Sequence, residues 1–150
     1  MGSKTLEATL HRYPRLGLDS MVLIYLLEDV EPYASLAEMA LKRVEKGQHT
    51  AYVSTLCLTE IMVPALRQND QVTVNRYRQF FFGFPNLRTL AVDIPTAELA
   101  ASMRAKYDLR TPDAIHVATS LQNGATAFLT NDKQLSRIKE LDVLLLDSYL

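Results

Sequence analysis

The sequence has a single cysteine, few glycines and no tryptophan. Cys57 alone cannot form an internal disulfide bond or a zinc cluster, so structural zinc is excluded and a reducing compartment is expected. The five glycines are too widely spaced to form either phosphate-binding motif, GxGxxG or GxxxxGK followed by Ser or Thr. Dinucleotide binding and P-loop nucleotide binding are therefore unsupported.

Long hydrophobic runs are absent as well. The longest, residues 21–27 and 143–146, are far shorter than the roughly 20 residues that a membrane-spanning helix needs. The first residues contain no apolar segment of the kind that a secretory signal has. We therefore expect a cytoplasmic protein that does not contact the membrane.

The sequence also has no large excess of either charge, because it contains 16 basic and 17 acidic side chains and its net charge is −1. This average does not by itself indicate a polyanionic partner. If four acidic side chains were gathered around cations in one cleft, however, the rest of the chain would carry a net positive charge. Such a distribution is compatible with a basic rim around an acidic site.

Segments typical of strands alternate with segments typical of helices along most of the chain. Strands are predicted at residues 16–19, 50–54, 87–92, 125–130 and 143–146, with helices between them. This alternation predicts a three-layer α/β/α fold around a central parallel sheet of five strands. Residues 1–15 are interpreted as a polar leader outside the core, and residues 16–150 as a single domain. Pro64 is expected to kink its helix or to end the first half of it.

Two common α/β enzyme classes do not match the sequence. A phosphatase of the haloacid dehalogenase type needs a second Asp two residues after the first, whereas Asp19 is followed by Ser20 and Met21. The GxSxG motif of α/β-hydrolases does not occur.

Acidic residues stand where sites form in parallel sheets, at the carboxyl ends of the strands. Asp19 ends the first predicted strand, Asp113 begins a helix, and Asp132 follows the fourth strand. Each has an ordinary structural interpretation: Asp19 as a turn former, Asp113 as a partner of the helix dipole, Asp132 as an N-cap. Glu60 lies among apolar neighbours, where an ionised carboxylate is costly unless something pairs with it. The four together are less easily explained as coincidence than any one of them.

The segments that contain these residues also follow a known order. They are Leu18-Asp19-Ser20 before an aliphatic helix, Thr59-Glu60, residues 111–118 with the sequence TPDAIHVA, and Leu129-Thr130-Asn131-Asp132. From Leu18 onwards the chain resembles the PIN-domain ribonucleases, in particular the VapC-like toxins of type II toxin–antitoxin pairs. The resemblance covers about residues 16–147 and implies a PIN-like fold. It also implies a metal-dependent endoribonuclease whose acidic residues are Asp19, Glu60, Asp113 and Asp132.

The chemistry of these side chains agrees with the resemblance. Oxygen ligands without His or Cys at ligand spacing suit hard cations, so Mg²⁺ or Mn²⁺ is expected rather than Zn²⁺. Asp19 and Asp113 are predicted as direct metal ligands, and Asp132 as a ligand directly or through water. Glu60 is predicted as a ligand or as the residue that orients a water molecule.

Other polar residues near these positions have weaker claims. The hydroxyls of Ser20 and Thr130 are candidates to bond a carboxylate or a phosphate, or are plain turn hydroxyls. His116 is interpreted as a packed core histidine rather than a general acid, and Cys57 as a small buried hydrophobe. Four basic residues flank the acidic positions and form either a rim that holds phosphates or ordinary solvated surface: Arg15, Arg110, Lys133 and Arg137.

Partners are predicted from an aromatic cluster and from the resemblance. The cluster comprises Tyr77, Phe80, Phe81, Phe82 and Phe84. Since one helix face should not bury so many rings, a homodimer is expected. The resemblance implies an RNA substrate and a protein antitoxin whose short helix lies in an apolar groove.

Two alternatives stay open. One is a PIN nuclease that acts in RNA processing without an antitoxin. The other is a PIN-like binding module that has lost catalysis. Its motivation is Met21, which stands where many PIN-domain proteins have Asn or Ser.

Overall fold

The structure is a computed structural model that describes residues 2–150 of the chain, and the side chains of residues 6–150. The helices are α1 (Gly2–Leu10), α2 (Ser20–Leu27), α3 (Tyr33–Glu45), α4 (Leu56–Arg67), α5 (Gln71–Gly83), α6 (Ile94–Tyr107) and α7 (Thr111–Gln122). The strands are β1 (Arg15–Leu18), β2 (Thr50–Ser54), β3 (Leu87–Leu90), β4 (Ala127–Thr130) and β5 (Asp142–Leu145). Short 3-10 helices follow β4 and β5, at Lys133–Arg137 and Leu146–Tyr149. Within residues 2–150, every helix is too short or too polar to traverse a lipid bilayer.

All five strands form one parallel sheet in the order β3-β2-β1-β4-β5. Helices cover both faces, as alternate residues of β4 show: Phe128 packs in a cluster with α6 and α7, whereas Leu129 packs in the cluster formed by α1 to α5. All four residues of β4 are buried, as expected for a strand between two helical layers. The predicted three-layer α/β/α fold with a five-stranded parallel sheet is therefore confirmed.

The segment before Leu16 contributes to the core, contrary to the interpretation of residues 1–15 as a polar leader outside it. Residues 2–10 form helix α1, and Leu6 and Leu10 are fully buried in the same cluster as β1. The two leucines are four residues apart and so lie on one helix face. Two apolar side chains are enough to dock this short helix, although its overall composition is polar.

A buried arginine ties α1 to the body of the protein. The Arg43 guanidinium donates from Nε to His49 Nε2 at 3.0 Å, and it contacts His11 Nδ1 at 3.1 Å and Glu7 Oε1 at 3.4 Å. Burial lowers the pKa of His49, which leaves its Nε2 free of hydrogen to accept from Arg43. The other ring nitrogen, Nδ1, lies 2.6 Å from the carbonyl oxygen of Tyr13. Both nitrogens of His49 are thus satisfied.

Helix α4 continues past its proline. Pro64 lies inside the helix, which extends to Arg67, so the expectation that the helix could end at this point is wrong. Proline has no N–H group, and the carbonyl of Glu60, four residues earlier, therefore lacks its usual helical donor.

Strand β1 and helix α7 approach each other closely at Gly17. A Cβ atom at this position would lie 2.0 Å from Ser120 Oγ and 2.7 Å from a ring carbon of Phe128. Only a glycine fits between the strand and the helix.

Most of the aromatic cluster on and after α5 packs against its own domain. Tyr77 and Phe81 are buried, and Phe80 and Phe84 pack against the same cluster. Phe82 is 74% exposed. The argument that one helix cannot bury these rings is thus wrong for four of the five, because these four pack against the core of their own domain. The homodimer itself stays a prediction.

Candidate functional site

The candidate site lies at the carboxyl ends of the central strands β1 and β4. Leu18 pairs with Leu129 in the sheet, and the backbone amide of Asp19 continues the ladder with a hydrogen bond to the Leu129 carbonyl at 3.0 Å. This register places Asp19 next to Thr130, the last residue of β4. The strand ends thus bring together two residues that are 111 positions apart in the sequence.

Asp19 occupies the N-cap position of α2 but makes no capping hydrogen bond with its side chain. Its carboxylate instead accepts a hydrogen bond from Thr130 Oγ1 at 2.6 Å, and the residue is 4% exposed. Asp70 and Asp93, at the N-caps of α5 and α6, do accept from the third residue beyond them. The interpretation of Asp19 as an ordinary turn former is therefore not what the contacts show.

The burial of Asp19 raises the pKa of its carboxyl group. The hydrogen bond from Thr130, the neighbouring His116 and the Ser20 amide lower this pKa, whereas the negative charge of Asp113 raises it further. Among the side chains of residues 6–150, no lysine or arginine forms an ion pair with Asp19. A buried carboxylate without a lysine or arginine partner, beside a second carboxylate, is an environment in which a cation would be stabilising.

Glu60 is paired with His116, and this contact was missed in the sequence. His116 Nε2 lies 2.5 Å from Glu60 Oε1, and the ring is 2% exposed. The hydrogen bond from His116 lowers the pKa of Glu60 against the opposing effect of burial, and the Ser20 side chain acts in the same direction. The expectation that His116 is buried is correct, but it is more than a packing residue. The sequence feature that could have indicated a role at the site is the position of His116 three residues after Asp113, on the same face of α7.

Asp113 lies in the first turn of α7, where its charge also favours the helix dipole. Arg110 Nε is 3.4 Å from Asp113 Oδ2, and the arginine side chain is largely exposed. Arg110 therefore stands at the site, as a basic rim requires.

Asp132 has the ordinary structural role that was considered for it. It is the N-cap of the 3-10 helix after β4, where Oδ1 accepts from the Gln134 amide at 3.0 Å. Its own amide donates to Thr130 Oγ1 at 3.1 Å, so the hydroxyl that bonds Asp19 also fixes the start of the Asp132 loop. Met21 supports the same loop, because its sulfur accepts a hydrogen bond from the Asn131 amide at 3.2 Å.

The structure thus brings Asp19, Glu60 and Asp113 close together. Asp132 is linked to Asp19 only through the Thr130 hydroxyl, which accepts from the Asp132 amide and donates to the Asp19 carboxylate. In the part of the chain that the structure describes, no three His, Cys, Asp or Glu side chains are close enough to hold a metal ion together. The four-carboxylate metal centre therefore stays a prediction. Its donor chemistry fits Mg²⁺ or Mn²⁺, since the side chains near Asp19 offer carboxylate and hydroxyl oxygens.

The other polar residues that were considered in the sequence divide into those that lie at the site and those that do not. Thr130 bonds to the carboxylate of Asp19, and the Ser20 hydroxyl lowers the pKa of the nearby Glu60. Arg15 is the first residue of β1 and so lies at the end of the strand opposite to the site, where it donates to the Asn123 carbonyl at 3.2 Å. Its assignment to the basic rim is therefore wrong. Cys57 is buried and burial raises its pKa, as expected of an inert thiol.

Lys133 and Arg137 belong to the exposed 3-10 helix after Asp132. Arg137 donates within that helix, to the Gln134 carbonyl at 3.0 Å. Neither position contradicts a place in a basic rim.

Comparison with known proteins gives one family and several similar folds. The PIN domain family model matches residues 17–141. A toxin–antitoxin complex from Klebsiella pneumoniae has 22% identity and a TM-score of 0.66, over 88% of this chain and 97% of that chain. VapBC2 from Rickettsia felis, bound to a DNA fragment from its promoter, has 14% identity and a TM-score of 0.66, over 87% and 98%. FitAcB from Neisseria gonorrhoeae has 18% identity and a TM-score of 0.65, over 88% and 97%. No curated protein sequence matches the chain.

Proposed function

The chain belongs to the PIN domain family, and we propose that it is a metal-dependent endoribonuclease that acts as the toxin of a toxin–antitoxin pair. The observation that carries the nuclease part is Asp19, whose side chain makes no capping hydrogen bond and lies buried without a lysine or arginine partner within residues 6–150. A carboxylate in this state is poorly explained by stability alone, because burial disfavours its charge.

Each acidic residue has a distinct part in this proposal. Asp19 and Asp113 hold a divalent cation, Mg²⁺ or Mn²⁺, and Glu60 either joins them or orients the attacking water. Asp132 reaches the cation directly or through water from the loop that Thr130 fixes. A divalent cation supplies Lewis acidity at such a site, polarising the scissile phosphate and lowering the pKa of a bound water. The exposed guanidinium of Arg110 is placed to meet a phosphate of the RNA.

The test is cleavage of a mixed RNA pool by the purified protein with Mg²⁺, with Mn²⁺ or with EDTA. We expect cleavage with either cation and none with EDTA. The variants Asp19→Asn, Glu60→Gln, Asp113→Asn and Asp132→Asn keep the side-chain shapes but remove a charge, and each should lower the rate by about 10²–10³-fold or more. Asp132→Asn is informative because Asn is as good an N-cap as Asp, so the cap of the 3-10 helix is retained.

The matched control is Asp93→Asn. Asp93 caps α6 near the far end of α7, where Gln122 contacts the Pro95 carbonyl, and the substitution again exchanges a capping Asp for Asn. Its cleavage rate should equal that of the parent. A parent protein that does not cut RNA with either cation would refute the nuclease proposal, as would site variants that cut as well as Asp93→Asn.

An antitoxin is supported by the similar folds, since the Klebsiella pneumoniae structure is described as a toxin–antitoxin complex. This chain offers a groove for a partner helix, with a volume of about 190 Å³, between the end of α2 and helices α4 and α5. The groove contains apolar side chains from both helices, Ile61, Pro64, Ala65 and Tyr77. Such a mixed apolar groove suits an amphipathic helix.

The product of a neighbouring small gene provides the test of the toxin role. It should co-purify with this protein and suppress its RNA cleavage. An active nuclease that no such product inhibits would instead be a PIN nuclease of RNA processing. An inactive binding module is not favoured, because Met21, its motivation, forms a contact that supports the Asp132 loop.

A further inference from the structure

The two histidines that the structure buries differ in how their ring nitrogens are satisfied. His49 uses both, with Nε2 accepting from Arg43 and Nδ1 bonded to the Tyr13 carbonyl. His116 uses one: Nε2 contacts Glu60, whereas Nδ1 is buried and has no hydrogen-bond partner within the described residues. His49 has the bonding of a structural histidine, and His116 does not.

An unpaired buried nitrogen is unfavourable, so packing alone does not explain His116. Ala114, Val117 and Ala118 of α7 pack in the apolar cluster with Phe128, whereas the ring of His116 meets Glu60 of α4. What the ring provides is one hydrogen bond, directed from α7 to the carboxylate of Glu60 on α4. Because the oxygens of an ionised carboxylate only accept hydrogen bonds, Nε2 must carry the hydrogen.

We propose that His116 is a positioning residue, which holds the Glu60 carboxylate in one orientation for the divalent cation by donating from Nε2 to Oε1. This inference rests on the proposed nuclease function. Since Oε1 is occupied by His116, Glu60 offers its other oxygen to the cation or to a cation-bound water. A glutamate on an apolar helix face has several rotamers, and the hydrogen bond selects one of them before the cation arrives.

The chain allows a sharp set of variants at this position. The amide nitrogen of Gln is separated from Cβ by the same number of bonds as Nε2 of His, so His116→Gln keeps a donor that reaches Glu60. The amide of Asn is one bond shorter and corresponds to Nδ1, so His116→Asn keeps a polar donor that cannot reach it. His116→Leu removes both nitrogens and keeps a side chain of similar bulk.

The measurement is Mn²⁺ affinity, followed by electron paramagnetic resonance on the purified protein without RNA, together with the RNA cleavage rate. We expect His116→Leu and His116→Asn to lower both by about 10- to 100-fold, as loss of a residue that orients a metal ligand does. His116→Gln should restore both to within a few fold of the parent. Since His116→Leu and His116→Asn leave Glu60 without its partner, both should melt earlier than the parent. Mn²⁺ affinity and cleavage are therefore compared at a temperature at which every variant is folded, which separates positioning from folding.

A double-variant cycle with Glu60→Gln tests whether His116 affects Mn²⁺ affinity and RNA cleavage through Glu60. If His116 acts through Glu60, adding His116→Leu to Glu60→Gln causes no further loss. Equal Mn²⁺ affinity and cleavage in His116→Leu and the parent would overturn the positioning role while leaving the nuclease proposal intact. So would a Gln variant as defective as the Leu variant. A parent that neither binds Mn²⁺ nor cuts RNA would overturn both, and the two failures are thus distinguishable.

Discussion

At the scale of single residues, the burial of Asp19 has a consequence for stability. Its pKa is raised above the ordinary value of 3.8, so the folded state binds this proton more tightly than the unfolded state does. Stability is therefore lost as the pH rises from about 3.8 through the folded pKa. In EDTA at pH 7, Asp19→Asn should raise the free energy of unfolding by about 0.5–2 kcal/mol, since the Asn oxygen still accepts from Thr130.

Thermal melts at pH 3 and pH 7 check this expectation. The gain of Asp19→Asn over the parent should disappear below pH 3.8, where the carboxyl is neutral in both states. Added Mn²⁺ should raise the Tm of the parent more than that of the variant, because it binds the folded parent more tightly. A variant that melts earlier than the parent at pH 7 would mean that the Asp19 carboxylate stabilises the fold.

The candidate site was predicted from the sequence in part. Glu60 was expected to need a partner because of its apolar neighbours, and it has one. The identity of that partner could not be predicted, because His116 is 56 positions away and the contact depends on how α4 meets α7. Asp132 shows the converse, since a local pattern predicted its N-cap correctly and a cap needs only residues that are adjacent in sequence.

At the scale of the elements, the close approach of β1 to α7 makes Gly17 intolerant of substitution. Gly17→Ala would place Cβ 2.0 Å from Ser120 Oγ and 2.5 Å from Ser120 Cβ, so the helix must shift. We expect a loss of about 1–3 kcal/mol or more in urea unfolding. Adding Ser120→Gly should recover part of it by removing the atoms that clash.

Gly83 provides the matched control for this prediction. It lies at the end of α5, and a Cβ there would meet no atom within 4 Å. Gly83→Ala should therefore be neutral or stabilising by about 0.4–1 kcal/mol. Equal effects of the two substitutions would contradict the packing explanation.

The helices and strands that could be predicted from the sequence are those with apolar residues at regular spacing or with residues that typically end a helix or strand. All five strands were predicted to within two residues at either end, because residues that favour strands are clustered in these segments. Helix α1 was missed because its burial depends on two leucines and on a docking surface built by later segments. The prediction that α4 could end at Pro64 was wrong. The loss of one helical hydrogen bond is outweighed when a helix face packs against the core, as Ile61 and Ala65 of α4 do.

At the scale of the whole molecule, the homodimer prediction now depends on one side chain. Phe82 is 74% exposed, whereas its four aromatic neighbours pack against the domain. If Phe82 lies in a dimer interface, light scattering at micromolar concentration should give the dimer mass for the parent and the monomer mass for Phe82→Ser. Ile94→Ser is the control, because Ile94 is 75% exposed at the start of α6. A monomeric parent would contradict the prediction, and a dimer lost in Ile94→Ser instead would place the interface elsewhere.

The strand order also governs when the site can exist during synthesis. Strand β1 is made first of the five but lies at the centre of the sheet, and its second neighbour, β4, follows more than a hundred residues later. A chain elongated only through α7 already contains Asp19, Glu60 and Asp113, yet it lacks the Thr130 hydroxyl that holds the first of them. Since chains emerge from the ribosome amino end first, the nuclease that we propose is inactive while most of it is being translated. On the proposed function, we therefore expect an incomplete chain not to cut the message that encodes it.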